Sequence, residues 1–180
     1  MAKVTTGTGD DGYTGLLGNQ RVAKYDSRPD TFGVVDEATS FLGLARAQIA
    51  NQEYNAFILH TQKDLYTLMA ELATLPENLD KIGVRITTDH VKWLEDKEEY
   101  LKHQVEIPNK FIIPGGMVEG AALDVARTVI RSAERMAVKL YHDGQIVNPE
   151  LLRYLNRLSD FIFILARVIE ISSGNSEIAG

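Results

Sequence analysis

The chain of 180 residues contains no cysteine. Disulfides, thiolate metal sites and cysteine nucleophiles are therefore excluded. No apolar run approaches the roughly 18 residues of a membrane span. The first residues also lack the apolar segment of a secretory signal. A cytoplasmic protein that does not engage membranes is expected. Positive charge is in deficit: 19 Lys and Arg against 25 Asp and Glu leave a net charge of −6. That balance argues against wholesale nucleic-acid binding by charge. The four histidines, His60, His90, His103 and His142, show no HExxH or other paired spacing. No protein-held metal site is expected from them. Internal repeats and a convincing run of strands are missing too.

What is present belongs to a globular helical protein. Hydrophobic residues make up 44% and charged residues 24%, an ordinary balance for one domain with a sizeable core. Three-four spacing predicts a helix from near Asp30 through Val35, Ala38, Leu42, Ala45 and Ile49. A second helix is predicted over residues 55–75, with Ile58, Leu65, Leu68, Met69 and Leu72 inward and Pro76 as its stop. A third begins near Thr88 with Val91, Leu94 and Leu101, beside the run "EDKEE", which reads as a solvated face. After the linker "VEIPNKFIIPGG" comes a fourth over residues 117–142, with Ala122, Val125, Ala126, Val129, Ala133, Met136 and Leu140 as its stripe. The fifth starts cleanly, with Asn148 as N-cap and Pro149 at the first helical position. The expected architecture is an all-α bundle of about five helices in one domain. Residues 1–30 form a glycine-rich N-terminal segment, 31–171 the bundle and 172–180 a flexible tail.

Several clusters could carry chemistry. "TGTGDDG" crowds backbone N–H groups that can nest an anion, but it lacks the spacing of a P-loop or of a calcium loop. Glycine-rich backbone loses much entropy on ordering, so this loop is either a loose tail or something orders it. Helix four carries "ARTVIRSAERM", with Arg127, Arg131 and Arg135 four residues apart along one face. Like charges so spaced destabilise a helix by about 0.2–0.5 kcal/mol per pair. Asp124 and Glu134, each three residues from an arginine, can offset part of that. The stretch reads either as a salt-bridged solvent face or as an anion site built from guanidinium forks. Asn156, Arg157 and Asp160 make a polar stripe on the oily fifth helix, suited to inter-helix hydrogen bonds. Asp36 suits the dipole of an early helical turn. Phe111 reads most simply as a core aromatic under the linker.

Taken together, "TGTGDDGYTGLLGNQRVAKYD", "VDE", "KFIIPGG", "ALDVARTVIRSAERM" and "YLNRLSDFIFILAR" occur in that order at ordinary spacing. This set resembles the PduO-type ATP:cob(I)alamin adenosyltransferases over Thr6 to about Arg167. The resemblance implies a ferritin-like up-down bundle assembled as a homotrimer, with active sites between subunits. It implies transfer of the 5′-deoxyadenosyl group of ATP to the cobalt of cob(I)alamin, giving adenosylcobalamin and triphosphate. Mg²⁺ is carried by the nucleotide, and no metal is bound by the protein itself. By the same resemblance Thr6, Gly7, Thr8, Gly9, Asp10 and Thr14 wrap ATP, and Lys24 faces its phosphates. Arg131 and Glu134, with Arg135 close by, contact the nucleotide, as does Asn156. Asp36 and Arg127 pair across the subunit boundary near the corrinoid, and Phe111 closes off the lower face of the corrin ring.

The chain departs from the family's pattern at three places. Gly7 stands where many members have a basic residue, Ser132 replaces a frequent second arginine, and Asp124 stands where histidine is common. The reaction suits a site without a general base, because cob(I)alamin is itself the nucleophile and the protein need only position and stabilise. A reductase and an adenosylcobalamin-dependent enzyme are the further partners implied. Two alternatives compete: a non-catalytic trimeric carrier or sensor of ATP and corrinoid, and a carboxylate metal bundle. The second lacks its paired Glu-x-x-His motifs.

Overall fold

The computed structural model describes residues 7–175 together with 177 and 178. Four long helices and one shorter one make the bundle. Asp26 caps α1 (Ser27–Gln48), its Oδ1 accepting from Arg28 N at 3.0 Å. This cap lies ahead of the periodic stripe, which is why apolar spacing alone starts the helix too late. Asn51 caps α2 (Gln52–Leu72) by accepting from Glu53 N and Tyr54 N at 2.9 and 3.2 Å. A 3₁₀ turn over Pro76–Asn78 runs into a single-turn helix α3 (Leu79–Ile82), which ends at Gly83 with φ 67°. That left-handed conformation favours glycine and turns the chain. Thr87 and His90 form a reciprocal capping box on α4 (Thr88–Lys102). The two longest helices are α5 (Val118–His142) and α6 (Pro149–Ser172). Asn148 caps α6 as expected, accepting from Glu150 N at 3.1 Å.

α1 packs on α2 and α5, and α6 packs on α5 and α4. Phe57 of α2 meets Trp93 and Tyr100 of α4 and Phe161 of α6 edge-on at 6.0–6.4 Å, closing the ring of helices. Leu42, Ile58, Leu65, Leu94, Leu123, Ile130, Leu158 and Leu165 are fully buried in one continuous core. Burying each is worth about 1.5–3 kcal/mol against the entropy of ordering the chain. Val125, assigned to the inward stripe of the fourth helix, is instead 42% exposed. Its neighbours Ala122, Ala126 and Val129 face α1 and α6 and leave it outside.

Short strands add what periodicity could not reveal. β1 (Tyr13–Gly15) and β2 (Arg21–Ala23) form an antiparallel hairpin, Thr14 opposite Val22. Leu16 is buried beneath it, and Leu17 N donates to Ala73 O at 2.8 Å, docking the hairpin on the end of α2. Arg28 fastens the same end of the bundle. Its buried guanidinium donates to Leu72 O at 2.6 Å, to Thr74 O at 3.1 Å and to Gln145 O. At the opposite end β3 (Ile112–Ile113) pairs antiparallel with β4 (Glu177–Ile178). Two residues of the segment expected as a flexible tail are thus paired with the linker that carries Phe111.

Candidate active site

One ridge of α5 carries four of the predicted residues and Asp124 beside them: Asp124 and Arg127 lie in its N-terminal half, Arg131, Glu134 and Arg135 beyond. Four residues advance a helix by about 6 Å, so the two groups are neighbours along it.

The second group meets α6. Asn156 Nδ2 donates to Glu134 Oε1 at 3.0 Å, and Arg157 Nη1 donates to Asn156 Oδ1 at 3.2 Å. Arg157 Nε is anchored in turn on Glu95 of α4 at 3.0 Å. Asp160 stands one turn further on. Burial and the nearby Glu98 push its carboxyl above the ordinary range, while Arg157 and Arg131 pull it back. The sequence pairs Glu134 with Arg131, but in the structure Glu134 holds Asn156 instead. Arg131 is exposed and makes no hydrogen bond or ion pair among the described residues. Arg135, also exposed, donates to Ser132 Oγ at 3.0 Å.

The first group meets α6 further along. Arg127 Nε donates to Asp124 Oδ1 at 3.3 Å, and Arg167 Nη2 donates to Asp124 Oδ2 at 2.5 Å. Arg167 also lies 3.0 Å from the carboxylate of Glu170. The guanidinium carbons of Arg127 and Arg167 sit 5.9 and 5.3 Å from the centre of the Phe163 ring, within cation–π range. Phe163 shares an open cleft of about 350 Å³ with the linker residues Ile107, Pro108, Lys110 and Phe111. Phe111 is 89% exposed. The expectation of a core aromatic is corrected here: the linker holds Phe111 outside the bundle, where its ring is free to meet a flat apolar partner. Asp36 lies on the exposed face of α1. Its backbone carbonyl accepts from Ser40 Oγ at 3.0 Å, and its carboxylate has no partner among the described residues. Asp36 and Arg127 do not meet within one chain.

The glycine loop is tied rather than loose. Gly12 N donates to Gly9 O at 3.2 Å, Asp10 N to Gly7 O at 3.4 Å, and Lys24 N to Gly12 O at 2.9 Å. Arg21 forks onto both oxygens of Asp11, at 3.1 and 2.8 Å, and reaches Thr8 O at 2.5 Å. That fork holds the Asp11 carboxyl below its usual range. Lys24 Nζ lies 3.1 Å from the point where a side chain on Gly9 would begin, so the ammonium lies close against the loop and would have to shift by a few tenths of an ångström for a larger residue. Thr6 falls outside the described residues. Neither Lys24 nor Gly9 bonds to Arg131, Glu134 or Asn156 among the described residues. Within one chain no hydrogen bond among the described residues joins this loop to the Arg131–Glu134–Asn156 group.

The profile of the family described as cobalamin adenosyltransferase matches residues 4–169. The chain belongs to that family. It is 37% identical over 180 residues to the corrinoid adenosyltransferase of Bacillus subtilis, covering 98% of this chain and 91% of that protein. It is likewise 37% identical over 179 residues to the cobalamin adenosyltransferase of Cupriavidus metallidurans, with 99% and 94% covered. Among solved structures, a variant PduO-type ATP:corrinoid adenosyltransferase from Lactobacillus reuteri, complexed with cobalamin and ATP, superposes with a TM-score of 0.91 at 31% identity. That match covers 98% of this chain and 99% of that one.

Within this adenosyltransferase the sequence reading passes over Arg21, Phe163, Arg167 and Glu170. Arg21 has a signal in retrospect, since it faces Asp11 across a glycine-bounded turn. Arg167 and Glu170 are an opposite-charge pair three residues apart in an apolar run, while nothing in the sequence marks Asp124 as their partner. A separate polar centre lies between α2, α4 and α6. Tyr154 donates to the buried Asp64 at 3.1 Å, and His60 and His90 stand 3.5 and 3.9 Å from the same carboxylate. Burial pushes the Asp64 carboxyl up, against the pull of His60, Tyr154 and His90. His90 Nδ1 accepts from Thr87 N at 3.1 Å, which leaves the proton on Nε2 and denies that nitrogen to a metal. Among the described residues no group of three His, Asp or Glu is placed to hold a metal ion.

Proposed function

We propose that this corrinoid adenosyltransferase moves the 5′-deoxyadenosyl group of ATP onto the cobalt of cob(I)alamin at a site completed between the subunits of a homotrimer. The observation that carries this reading is Arg131: an exposed guanidinium with no hydrogen bond or ion pair among the described residues, beside the fixed Glu134–Asn156 pair. Arg131 and Arg135 face the triphosphate, while Glu134 and Asn156 offer acceptors and donors of fixed direction to the nucleoside. Lys24 and the N–H groups of residues 7–12 grip the phosphates from the loop side, with Thr6 and Thr14 at its ends. That no hydrogen bond among the described residues joins the loop to these α5 and α6 residues within one chain is consistent with a site in which the loop of one subunit closes on α5 and α6 of the next. Asp36, exposed and with no side-chain partner among the described residues, then answers the Nη groups of Arg127 across the same boundary.

Cobalamin enters as substrate on the Phe111–Phe163 side. The bond that forms joins cobalt to the 5′-carbon; the bond that breaks frees triphosphate, and no proton need move. Stabilisation of the leaving charge by Arg131 and Lys24 is the chain's main electrostatic contribution. Mg²⁺ accompanies the ATP phosphates in this reading and neutralises part of their charge. A reductase that supplies cob(I)alamin and an enzyme that uses adenosylcobalamin are the partners such a reaction requires, in the cytoplasm. The test is incubation with ATP, Mg²⁺ and chemically reduced cobalamin. The light-sensitive spectrum of adenosylcobalamin should appear together with triphosphate, and the protein should sediment as a trimer. A reduced corrinoid spectrum that stays unchanged would refute the reading.

A further inference from the structure

We propose that the buried Asp124–Arg167 pair is a positioning device that presents Arg127 to the corrinoid. This rests on the reading that Arg127 lines the corrinoid side of the site. Asp124 and Arg167 are 4% and 1% exposed. The Asp124 carboxylate is divided between two guanidiniums. One oxygen takes the Nε of Arg127 and the other takes the Nη2 of Arg167. A carboxylate held at one oxygen from inside the bundle cannot rotate away from the other. A surface pair three residues apart on a helix would be loose and screened. Here the acid is anchored in the core, so the arginine inherits its fixed direction.

Arg167 is itself immobilised. Glu170, fully buried, lies 3.0 Å from it on one side, and the Phe163 ring lies 5.3 Å from its guanidinium carbon. Gly120 makes the room: a side chain there would begin 2.4 Å from Glu170 Oε1 and 2.8 Å from its Cγ. The four charges, Arg127, Asp124, Arg167 and Glu170, cancel. Only Arg127 reaches the surface, with a quarter of its side chain exposed. Because Asp124 engages Nε, both Nη groups stay available for the carboxamide oxygens at a corrin rim or for a carboxylate of a second subunit. Phe163 lies within range of both guanidiniums and lines the cleft beside Phe111, so the network also fixes one apolar wall of that cleft.

The test compares Asp124→Asn, Arg127→Ala and their combination. Cob(I)alamin is varied at saturating MgATP, and MgATP at saturating cob(I)alamin. Asparagine keeps the size and leaves Arg167 on Glu170. Asp124→Asn should raise the corrinoid KM by about tenfold, the scale of a charge-assisted hydrogen bond, with the ATP KM changed less than twofold. Arg127→Ala should raise it at least as much, and the double variant should be no worse than Arg127→Ala alone. Should Asp124→Asn fail to fold, Arg167→Lys keeps the charge, loses the planar fork and should show the same split between the two KM values. Additive losses, or equal rises in both KM values, would overturn the positioning role. An unchanged corrinoid KM in Arg127→Ala would overturn the placement of Arg127 on which the proposal stands.

Discussion

Phe111→Ala separates binding, reduction and folding, because the structure puts that ring in solvent. A phenylalanine side chain presents about 150–250 Å², and 89% of Phe111 is exposed. A flat ligand covering one of its two faces removes about 70–110 Å² from water. At about 25 cal/mol per Å² that is about 1.7–2.8 kcal/mol, or roughly 20- to 100-fold in corrinoid affinity. Folding stability should move by no more than about 0.5 kcal/mol, as for other surface positions. A core phenylalanine would instead cost about 3–5 kcal/mol and lower the melting temperature by about 10 °C in a chain of this size. The kinetic expectation is a split. An apolar ring against the lower face of the corrin keeps water and the cofactor's own base from cobalt, and four-coordinate cobalt is the easier to reduce. The variant should therefore nearly lose turnover from cob(II)alamin, yet keep substantial activity with saturating, pre-reduced cob(I)alamin. Thermal unfolding, both assays, and the spectrum of bound cob(II)alamin with MgATP decide the matter. A four-coordinate signature that survives the substitution refutes the role, and so does a large fall in melting temperature with equal loss in both assays.

Four further outcomes are expected. Arg131→Ala should leave the fold intact, since Arg131 makes no hydrogen bond or ion pair among the described residues, and should cost at least about 1.5–3 kcal/mol of transition-state stabilisation; near-normal kcat/KM removes it from the mechanism. Amide exchange over residues 7–12 should slow with MgATP and, without nucleotide, quicken in Arg21→Ala, because Arg21 ties Asp11 to Thr8. Gly120→Ala should destabilise by about 1–3 kcal/mol through overpacking against Glu170, read as a fall in melting temperature. Asp64→Asn should raise the melting temperature at pH 8. The folded-state carboxyl of Asp64 is pushed above its unfolded value, so its ionised form weakens the fold at high pH. That penalty lifts as pH falls through the raised value, and the advantage of the variant should shrink there; an advantage independent of pH contradicts this.

The helices were legible because each buries one stripe, and a stripe of Leu, Ile and Ala at three-four spacing has few other uses. Asn148–Pro149 announced the start of α6 through local chemistry alone. What stayed hidden depends on long-range partners. The Asp26 cap precedes any periodicity, and the hairpin over 13–23 has strands of three residues, too short for an alternation to show. Phe111 reads as core because a phenylalanine leading into two isoleucines often is; only the path of the linker, with β3 paired to β4, puts it outside. Of the proposed site, Lys24, Arg131, Glu134 and Asn156 are named through the family resemblance. The bond between Glu134 and Asn156 is not legible there, since it joins residues 22 apart in sequence on two different helices. Arg167 shows only half of its setting in "FIFILARVIE": Glu170 follows three residues on as a local partner, but Asp124 comes within reach only when α5 lies against α6.

The three arginines of α5 show how the fold resolves a tension the sequence could only pose. Spaced four apart, Arg127, Arg131 and Arg135 should repel, and two acids nearby seemed to serve as their counter-ions. The structure treats the three unequally. Arg127 is fixed by Asp124, and Arg135 donates to a neutral hydroxyl, Ser132. Arg131, in the middle, is given nothing closer than the electrostatic influence of Asp160, because Glu134 is taken by Asn156. A purely structural salt-bridged face would have satisfied the middle residue first, since it feels two like neighbours. Leaving that residue uncompensated raises the positive potential at one point of the ridge, where an incoming polyanion gains most. If that is why Arg131 stands alone, Asn156→Ala, which releases Glu134 to pair with Arg131, should weaken MgATP binding although it adds no charge and removes no arginine. A titration of MgATP against this variant, with Glu134→Gln in the same background as control, tests it. Binding should fall in Asn156→Ala and recover in part when Glu134 is also neutralised. Unchanged affinity in the first, or no recovery in the second, would show that Glu134 does not compete for Arg131.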